Sequence, residues 1–190
     1  MSQILNLSKT TAVLDLTKAA PGLKNIRGLL NWDPNPSQGY GNHDFDLDIF
    51  VFALNSAGKI TSGADVVFFN NKHAHGISVP RDNRNGQGND DEELFVDLDK
   101  VPADKQILDV YVFIHEATQR QQFFGMMANA TFTLFNKDTG QAIQEYKISS
   151  LTSETAIHIG ALTRSSGGWA FEPSGEAGVM DPNAVAGGYL

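Results

Sequence analysis

HDFDLDIFVFAL, residues 43–54, alternates acidic and apolar residues and then becomes apolar throughout. Successive side chains of a β-strand point to opposite faces, so Asp44, Asp46 and Asp48 would share one face. That face continues with residues that belong in a core, namely Phe50, Phe52 and Leu54. The segment is therefore predicted to be a buried strand whose acidic end emerges at the rim of a sheet.

The same strand pattern recurs along the chain, where short runs rich in Val, Ile, Phe and Tyr alternate with clusters of Gly, Asn, Asp and Pro. The predicted strands are 11–16, 24–32, 45–54, 64–70, 92–98, 107–114, 128–135, 141–147, 154–162 and 168–172. Runs that are apolar on both faces, such as IFVFAL, predict cover on the outer face as well. We predict an all-β fold, a two-sheet β-sandwich with long acidic loops at one rim. This domain would span residues 1–174, and a mobile Gly/Ala-rich tail would follow at 175–190.

Composition limits the classes of function. The 190 residues suit one domain, and 41% hydrophobic residues suffice for a core. A formal net charge of −8 argues against a nucleic-acid partner. The absence of cysteine removes disulfides, thiolate zinc sites and cysteine nucleophiles. The sequence shows no secretory signal and no apolar run that approaches the ~20 residues of a membrane span. We expect a soluble cytoplasmic protein without direct membrane insertion.

A second acidic segment, RDNRNGQGNDDEE at residues 81–93, combines oxygen-bearing side chains with glycines and holds no apolar residue. Three acids at 44–48 and seven at 82–99 make ten of the 22 acids in the chain. Such a density of like charge suits a hard divalent cation, and calcium in particular, because calcium takes six to eight oxygen ligands. An EF-hand is excluded, since its first ligand position would fall on Arg81. The alternative interpretation, in which this segment is a solvated acidic surface without a ligand, stays open.

Seven motifs in order carry a family resemblance: NWDP (31–34), FDLD (45–48), FFNN (68–71), DNRNGQGNDDEE (82–93), VPAD (101–104), FGMMANA (124–130) and GQAIQEYKIS (140–149). This order resembles the TerD family of tellurium-resistance and stress proteins, over roughly residues 9–172. The resemblance implies a β-sandwich that binds two calcium ions and serves bacterial resistance to tellurite, phage and colicins, without enzymatic activity. Arg81, where the family has glycine, and a GNDDE run (88–92) one residue short imply a divergent branch.

Carried onto this chain, the resemblance implies the following calcium ligands: Asp46, Asp48, Asn70, Asn71, Asp82, Asn83, Asp90, Asp91 and Glu92, with backbone carbonyls at Gly86 and Gly88. For Asn70 and Asn71, the residues alone favour a turn at the end of a strand. The expected partners are other proteins of a stress-resistance complex, and these partners could be associated with a membrane.

Three functions are carried forward from the sequence. The first is a non-enzymatic calcium-binding stress-response protein, in which Ca2+ orders the acidic loops for partner interaction. The second is a metal-dependent hydrolase that uses the acidic cluster. The third is a calcium-dependent ligand- or phospholipid-binding module. The pair His115–Glu116 is interpreted as polar residues at a strand end rather than as an acid/base pair.

Overall fold

The computed structural model describes residues 4–7, 12–34, 43–80 and 92–190. In these ranges the chain forms three short helices, α1 (Leu16–Ala19), α2 (Ala117–Arg120) and α3 (Pro182–Gly188). The strands of the same ranges are β1 (Ile4–Asn6), β2 (Leu14–Asp15), β3 (Asn25–Pro34), β4 (Leu47–Leu54), β5 (Val66–Val67), β6 (His73–Ala74), β7 (Ile77–Ser78), β8 (Glu92–Asp97), β9 (Ile107–Ile114), β10 (Met127–Asn136), β11 (Gln141–Lys147), β12 (Ala156–Ser165), β13 (Gly168–Pro173) and β14 (Ala177–Gly178). Single 3₁₀ turns lie at Gly63–Asp65 and Phe124–Met126.

The strands form two sheets that pack face to face, which confirms the predicted β-sandwich. The first sheet has the order β1-β11-β10-β3-β8-β7-β6, and the second has the order β2-β13-β12-β9-β4-β5, with β14 added beside β12. One continuous core fills the space between them, and its largest fully buried side chains include Trp32, Phe132, Tyr146 and Phe171. Phe52 is also fully buried, but it belongs to a separate cluster on the outer face of the second sheet.

β4 is buried on both faces, as its sequence predicts. Its inward residues, Leu47, Ile49, Val51 and Ala53, join the core between the sheets. Its outward residues, Phe50, Phe52 and Leu54, pack with Phe113 and Ala156 in a second cluster. Alternation along one strand therefore supplies two apolar layers, because both faces have cover.

The cover of the outer face is the C-terminal segment, which the sequence analysis expects to be a mobile tail. β14 pairs with β12, and Val185, Ala186 and Tyr189 pack on the outer cluster. The backbone N–H of Ile60 donates to the carbonyl of Tyr189 at 2.9 Å. The structure thus differs from the expected mobility, because a Gly/Ala-rich segment with weak periodicity still contributes a few apolar anchors. The division at residues 174/175 stays a prediction.

Strand register brings the ends of several strands to one rim of the sandwich. β4 begins beside the end of β9, where Leu47 pairs with Ile114. β10 and β8 both begin beside the end of β3, where Met127 pairs with Pro34 and Glu92 pairs with Leu30. Residues 115–126 connect the two sheets at this rim. Pro34, which precedes segment 35–42, and Glu92, which follows segment 81–91, lie at the same rim.

Candidate metal centre at the acidic rim

Asp46 and Asp48 lie at the start of β4, where the buried strand reaches the rim. Each is only 5% exposed. Asp46 directly precedes the strand, and Asp48, its second residue, shares the outer face with Phe50, as the alternation predicts. The backbone carbonyl of Asp46 accepts a hydrogen bond from the N–H of His115 at 2.8 Å, which holds this residue against the end of β9.

Two side chains from the segment after β9 contact these carboxylates. The Nδ1 atom of His115 lies 2.9 Å from Oδ2 of Asp48. The Nη1 atom of Arg120 lies 3.7 Å from Oδ2 of Asp46, and its guanidinium also donates to Oε2 of Glu116 at 3.1 and 3.2 Å. The rim thus combines buried carboxylates with one guanidinium, which offsets part of their mutual repulsion.

Gln122 fixes the chain that leads into Asp46. Its Nε2 atom donates to the carbonyls of His43 and Asp44, at 2.9 and 3.3 Å. The side chain is 2% exposed, and its Oε1 atom is buried without a hydrogen-bond partner among the described residues. Leaving a buried amide oxygen without a donor costs about 1–3 kcal/mol. A buried amide oxygen without a hydrogen-bond donor suits a hard cation, because such cations prefer carboxylate and amide oxygens as ligands.

Asn70 and Asn71 lie in a turn that follows β5. The backbones of Phe68 and Asn71 exchange two hydrogen bonds, at 2.9 and 3.1 Å, and Nδ2 of Asn71 donates to the carbonyl of Val66 at 2.7 Å. Since β5 runs antiparallel to β4, the turn lies toward the start of β4, and the ring of Phe69 contacts His115. The amide nitrogen of Asn71 thus closes the turn, while Asn70 is exposed at its tip.

Glu92 is the first residue of β8 and is 2% exposed. Its strand parity is that of Leu94 and Val96, so it faces the space between the sheets. The next residue, Glu93, faces outward and accepts a hydrogen bond from Nε of Arg27 at 2.7 Å. Cα atoms of β4 and β8 lie within 8 Å of each other across the sandwich. Glu92 therefore shares the rim with Asp46 and Asp48 but not their sheet or their face.

The remaining predicted ligands fall outside the described residues: Asp82, Asn83, Gly86, Gly88, Asp90 and Asp91. Within the ranges that the structure describes, no group of three or more His, Asp or Glu side chains is arranged to hold a metal ion. The oxygen donors present have the chemistry that calcium requires, so they fit this ion as a partial ligand set. A complete set would draw on segment 81–91.

Sequence reasoning missed the contacts that three residues make at the rim, namely His115, Arg120 and Gln122. All three lie between β9 and β10, and each has a contact with a residue that precedes or begins β4. Only the antiparallel pairing of β9 with β4 brings them there, and the sequence does not state this pairing. The available signal was the polar run EATQRQQ (116–122), which directly follows a predicted buried strand.

Comparison with known proteins agrees with this architecture. The family model of the TerD domain matches residues 4–187. The tellurium resistance protein TerD of Alcaligenes sp is 39% identical over 90% of this chain and 89% of its own length. General stress protein 16U of Bacillus subtilis is also 39% identical, with the same coverage of 90% and 89%.

A solved structure shares the fold. It is the crystal structure of a homologue of the telluride resistance protein TerD from Streptomyces coelicolor A3(2). The two chains are 24% identical, with a TM-score of 0.71 over 87% of this chain and 96% of the other. At this identity the likeness concerns the arrangement of strands alone.

Proposed function

This chain belongs to the TerD family, and from that membership we propose that it is a calcium-binding stress-response protein that binds partners rather than catalysing a reaction. The relatives are named as tellurium-resistance and stress proteins. The single observation that supports the calcium proposal is the pair of buried carboxylates, Asp46 and Asp48, at the rim of the sandwich. The buried Oε1 atom of Gln122 supports it further.

The proposal includes two ions, because the described carboxylates lie on two faces of the sandwich. Asp46 and Asp48, with Gln122 and the Asn70–Asn71 turn, would supply oxygens on the outer face of the second sheet. Glu92 would supply a carboxylate on the inner face of the first sheet. Segment 81–91 would supply the other ligands: the side chains of Asp82, Asn83, Asp90 and Asp91 and the carbonyls of Gly86 and Gly88.

Bound calcium would supply positive charge and a fixed set of oxygen contacts at the rim. The chain's own residues prepare this arrangement. Gln122 holds the segment before β4, and His115 holds Asp48 through its Nδ1 atom at 2.9 Å. Arg120 balances part of the negative charge beside Asp46. Ordering of the acidic loops would then present a surface to other proteins of a stress-resistance complex.

We also propose that the protein acts in the cytoplasm. In the described part of the chain, no helix has both the length and the apolar character that a membrane crossing requires. The hydrolase and phospholipid-binding alternatives stay predictions, because no described contact favours either of them.

Calorimetry combined with thermal unfolding tests the calcium proposal. We expect chelated protein to bind close to two calcium ions, with magnesium as the control. A hundredfold excess of calcium over Kd stabilises the folded state by about 2.7 kcal/mol. For a chain of this size that free energy corresponds to a rise in Tm of about 5–11 °C.

Two variants identify the site. Asp48→Asn should lose most of the calcium-induced rise in Tm. Asp99→Asn is the matched control, because the side chain of Asp99 is 66% exposed and its carboxylate pairs with the exposed Lys24 at 3.1 Å. It should keep the full rise. An unchanged Tm of the wild-type protein in millimolar calcium would refute the proposal.

A further inference from the structure

The end of the sandwich opposite the acidic rim contains a cavity of about 390 Å³. Its walls come from α1 and the turn that follows it, from residues 98–99 after β8, and from the hairpin between β12 and β13. Leu47 of β4 pairs with Ile114 at the rim, whereas Ile107, at the other end of β9, pairs with Thr163 beside this hairpin. Small-molecule sites in proteins typically enclose about 300–1,000 Å³. The cavity therefore has the size of a ligand site and lies away from the proposed calcium ligands.

Arg164 brings a positive charge to the wall of this cavity. Its Nε atom donates to the carbonyl of Lys105 at 3.3 Å, and its Nη2 atom donates to the carbonyls of Val101 and Pro102 at 3.1 and 3.2 Å. Its Cζ atom lies 4.4 Å from the ring centroid of Trp169, which also lines the cavity. These contacts fix the guanidinium before any ligand binds, and a group that is already ordered loses less entropy on binding.

The charge of Arg164 has no carboxylate partner among the residues that the structure describes. Its hydrogen bonds all go to neutral carbonyls and use Nε and Nη2, so in the same ranges the two N–H groups of Nη1 have no acceptor. The described wall contains a single acid, Asp99, which pairs with Lys24 at 3.1 Å, both side chains being 66% exposed. A fixed, half-buried guanidinium with unused donors suits an anion.

Apolar side chains lie beside this charge and indicate what kind of anion fits. Leu16 and Leu98 are buried, Leu23 is half-buried, and all three line the cavity with Trp169. They offer contact to an apolar body. Inorganic phosphate would place about two negative charges beside one guanidinium and would gain nothing from the apolar wall. An organic monocarboxylate matches both the single positive charge and the apolar surface.

We propose that this cavity binds a small organic monocarboxylate with an aryl or branched alkyl body. The carboxylate would accept hydrogen bonds from Nη1 of Arg164, and the body would pack on Leu23 and Trp169. The amide of the same acid would keep the apolar contact but lose the charge, and a cation would meet the guanidinium. The cavity therefore selects monocarboxylates, and this binding is separate from the proposed binding of calcium.

Phenylacetate is the probe for this proposal. Phenylacetamide is its neutral analogue, benzylamine supplies a cation, and inorganic phosphate supplies an anion without an apolar body. Calorimetry measures their affinities for the full chain after calcium has been removed by chelation and dialysis. We expect phenylacetate to bind about tenfold more tightly than each of the other three compounds. Absence of phenylacetate binding at about 10 mM, or an equal affinity for phenylacetamide or phosphate, would overturn the proposal.

The two tryptophans of the chain report where phenylacetate binds. Trp169 lines the cavity, whereas Trp32 lies close to the rim end of β3. In NMR spectra, saturating phenylacetate should shift the indole N–H signal of Trp169 and leave that of Trp32 unchanged. The variant Trp169→Phe assigns the two signals. A shift of the Trp32 signal alone, or of neither signal, would exclude this cavity as the site.

Variants at Gly167 test the role of charge in the cavity. Gly167 lines the cavity, and a Cβ atom added to it meets open space, so Gly167→Asp and Gly167→Asn should both fold like the wild type. The two variants differ in one negative charge. Gly167→Asp should bind phenylacetate about threefold to tenfold more weakly than Gly167→Asn does, while their affinities for phenylacetamide should agree. Equal affinities of the two variants for phenylacetate would refute the charge argument.

Arg164→Gln tests the guanidinium itself. This variant should lose the preference for phenylacetate over phenylacetamide, because the charged donors are gone. It also loses three hydrogen bonds to backbone carbonyls, so thermal unfolding is measured alongside. A preserved preference in folded Arg164→Gln would overturn the assignment. The Gly167 pair decides the question if Arg164→Gln does not fold, because those two variants leave the contacts of Arg164 in place.

Discussion

Replacing Lys105 by methionine perturbs a buried ion pair at the end of the sandwich where β4 ends and β9 begins, opposite the acidic rim. Nζ of Lys105 lies 2.8 Å from Oδ1 of Asp65, and the two side chains are 3% and 1% exposed. The other carboxylate oxygen accepts hydrogen bonds from the N–H and hydroxyl of Thr61 and from the N–H of Ser62. Nε2 of His75 also contacts Oδ1 at 2.8 Å. This group of contacts joins three loops, and the loop that contains Asp65 leads directly into β5.

The magnitude follows from the burial of both charges. Removing one partner of a buried ion pair costs about 3–5 kcal/mol, because the other charge stays buried with less compensation. For a chain of this length we expect a fall in Tm of about 6–20 °C at neutral pH. The double variant Asp65→Asn/Lys105→Met should recover part of this loss, since it leaves no buried carboxylate.

The pH dependence distinguishes lost charge from lost packing. Burial alone would raise the pKa of Asp65, but the hydrogen bonds from Lys105, Thr61 and Ser62 outweigh it and hold this pKa well below its usual value. A lowered pKa stabilises the folded state above the unfolded pKa of about 3.9, and this contribution disappears as the pH falls further. The difference in stability between wild type and Lys105→Met should therefore be largest near neutral pH and shrink below about pH 4.

Thermal and urea unfolding at several pH values measure these differences. Lys100→Met is the matched control, because Lys100 pairs with Asp97 at 2.7 Å but its side chain is 75% exposed. Its Tm should stay close to that of the wild type, since exposed ion pairs contribute little. Equal effects of Lys105→Met and Lys100→Met would refute the reasoning. So would a loss for Lys105→Met that is the same at pH 3 as at pH 7.

Two other predictions concern an alkaline titration and a close backbone contact. Burial raises the pKa values of Tyr146 and Tyr189, so the stability that their neutral forms provide is present below the ordinary value of about 10 and declines above it. Absorbance near 295 nm should show these tyrosines ionising only together with unfolding, and ionisation near pH 10 in folded protein would contradict this. Gly125→Ala should destabilise the fold by about 1–3 kcal/mol in urea unfolding, because a Cβ atom would overlap the carbonyl oxygen of Thr152. Gly167→Ala, where the added atom meets open space, should be neutral, and equal losses would contradict the steric argument.

Strand prediction succeeded where a run was long enough to show a period. The predicted strands 107–114 and 141–147 coincide with β9 and β11, and 45–54 contains all of β4. The strands that were missed, β1, β6, β7 and β14, have only two or three residues. Such short strands form because a neighbouring strand offers hydrogen bonds, so their own residues hold little signal.

The acidic rim was predictable only in part. Alternation in HDFDLDIFVFAL correctly places Asp48 on the face that continues as Phe50, and the buried outer cluster explains why that face is apolar. The roles of His115 and Gln122 were not predictable, because their partners lie 67 and 78–79 residues away in the chain. Propensity and periodicity describe near neighbours, whereas these contacts depend on how β9 pairs with β4.

By itself, the sequence determined the all-β class, the family and the acidic character of one rim, because alternation, turn residues and motif order are properties of neighbouring residues. Only the tertiary structure decided that Asp48 lies on a different sheet from Glu92, and that the C-terminal segment packs on the outer cluster of the second sheet. These features depend on strand order and on contacts between distant parts of the chain. The free energy of such contacts comes from burial in the assembled sandwich, and no local segment contains it.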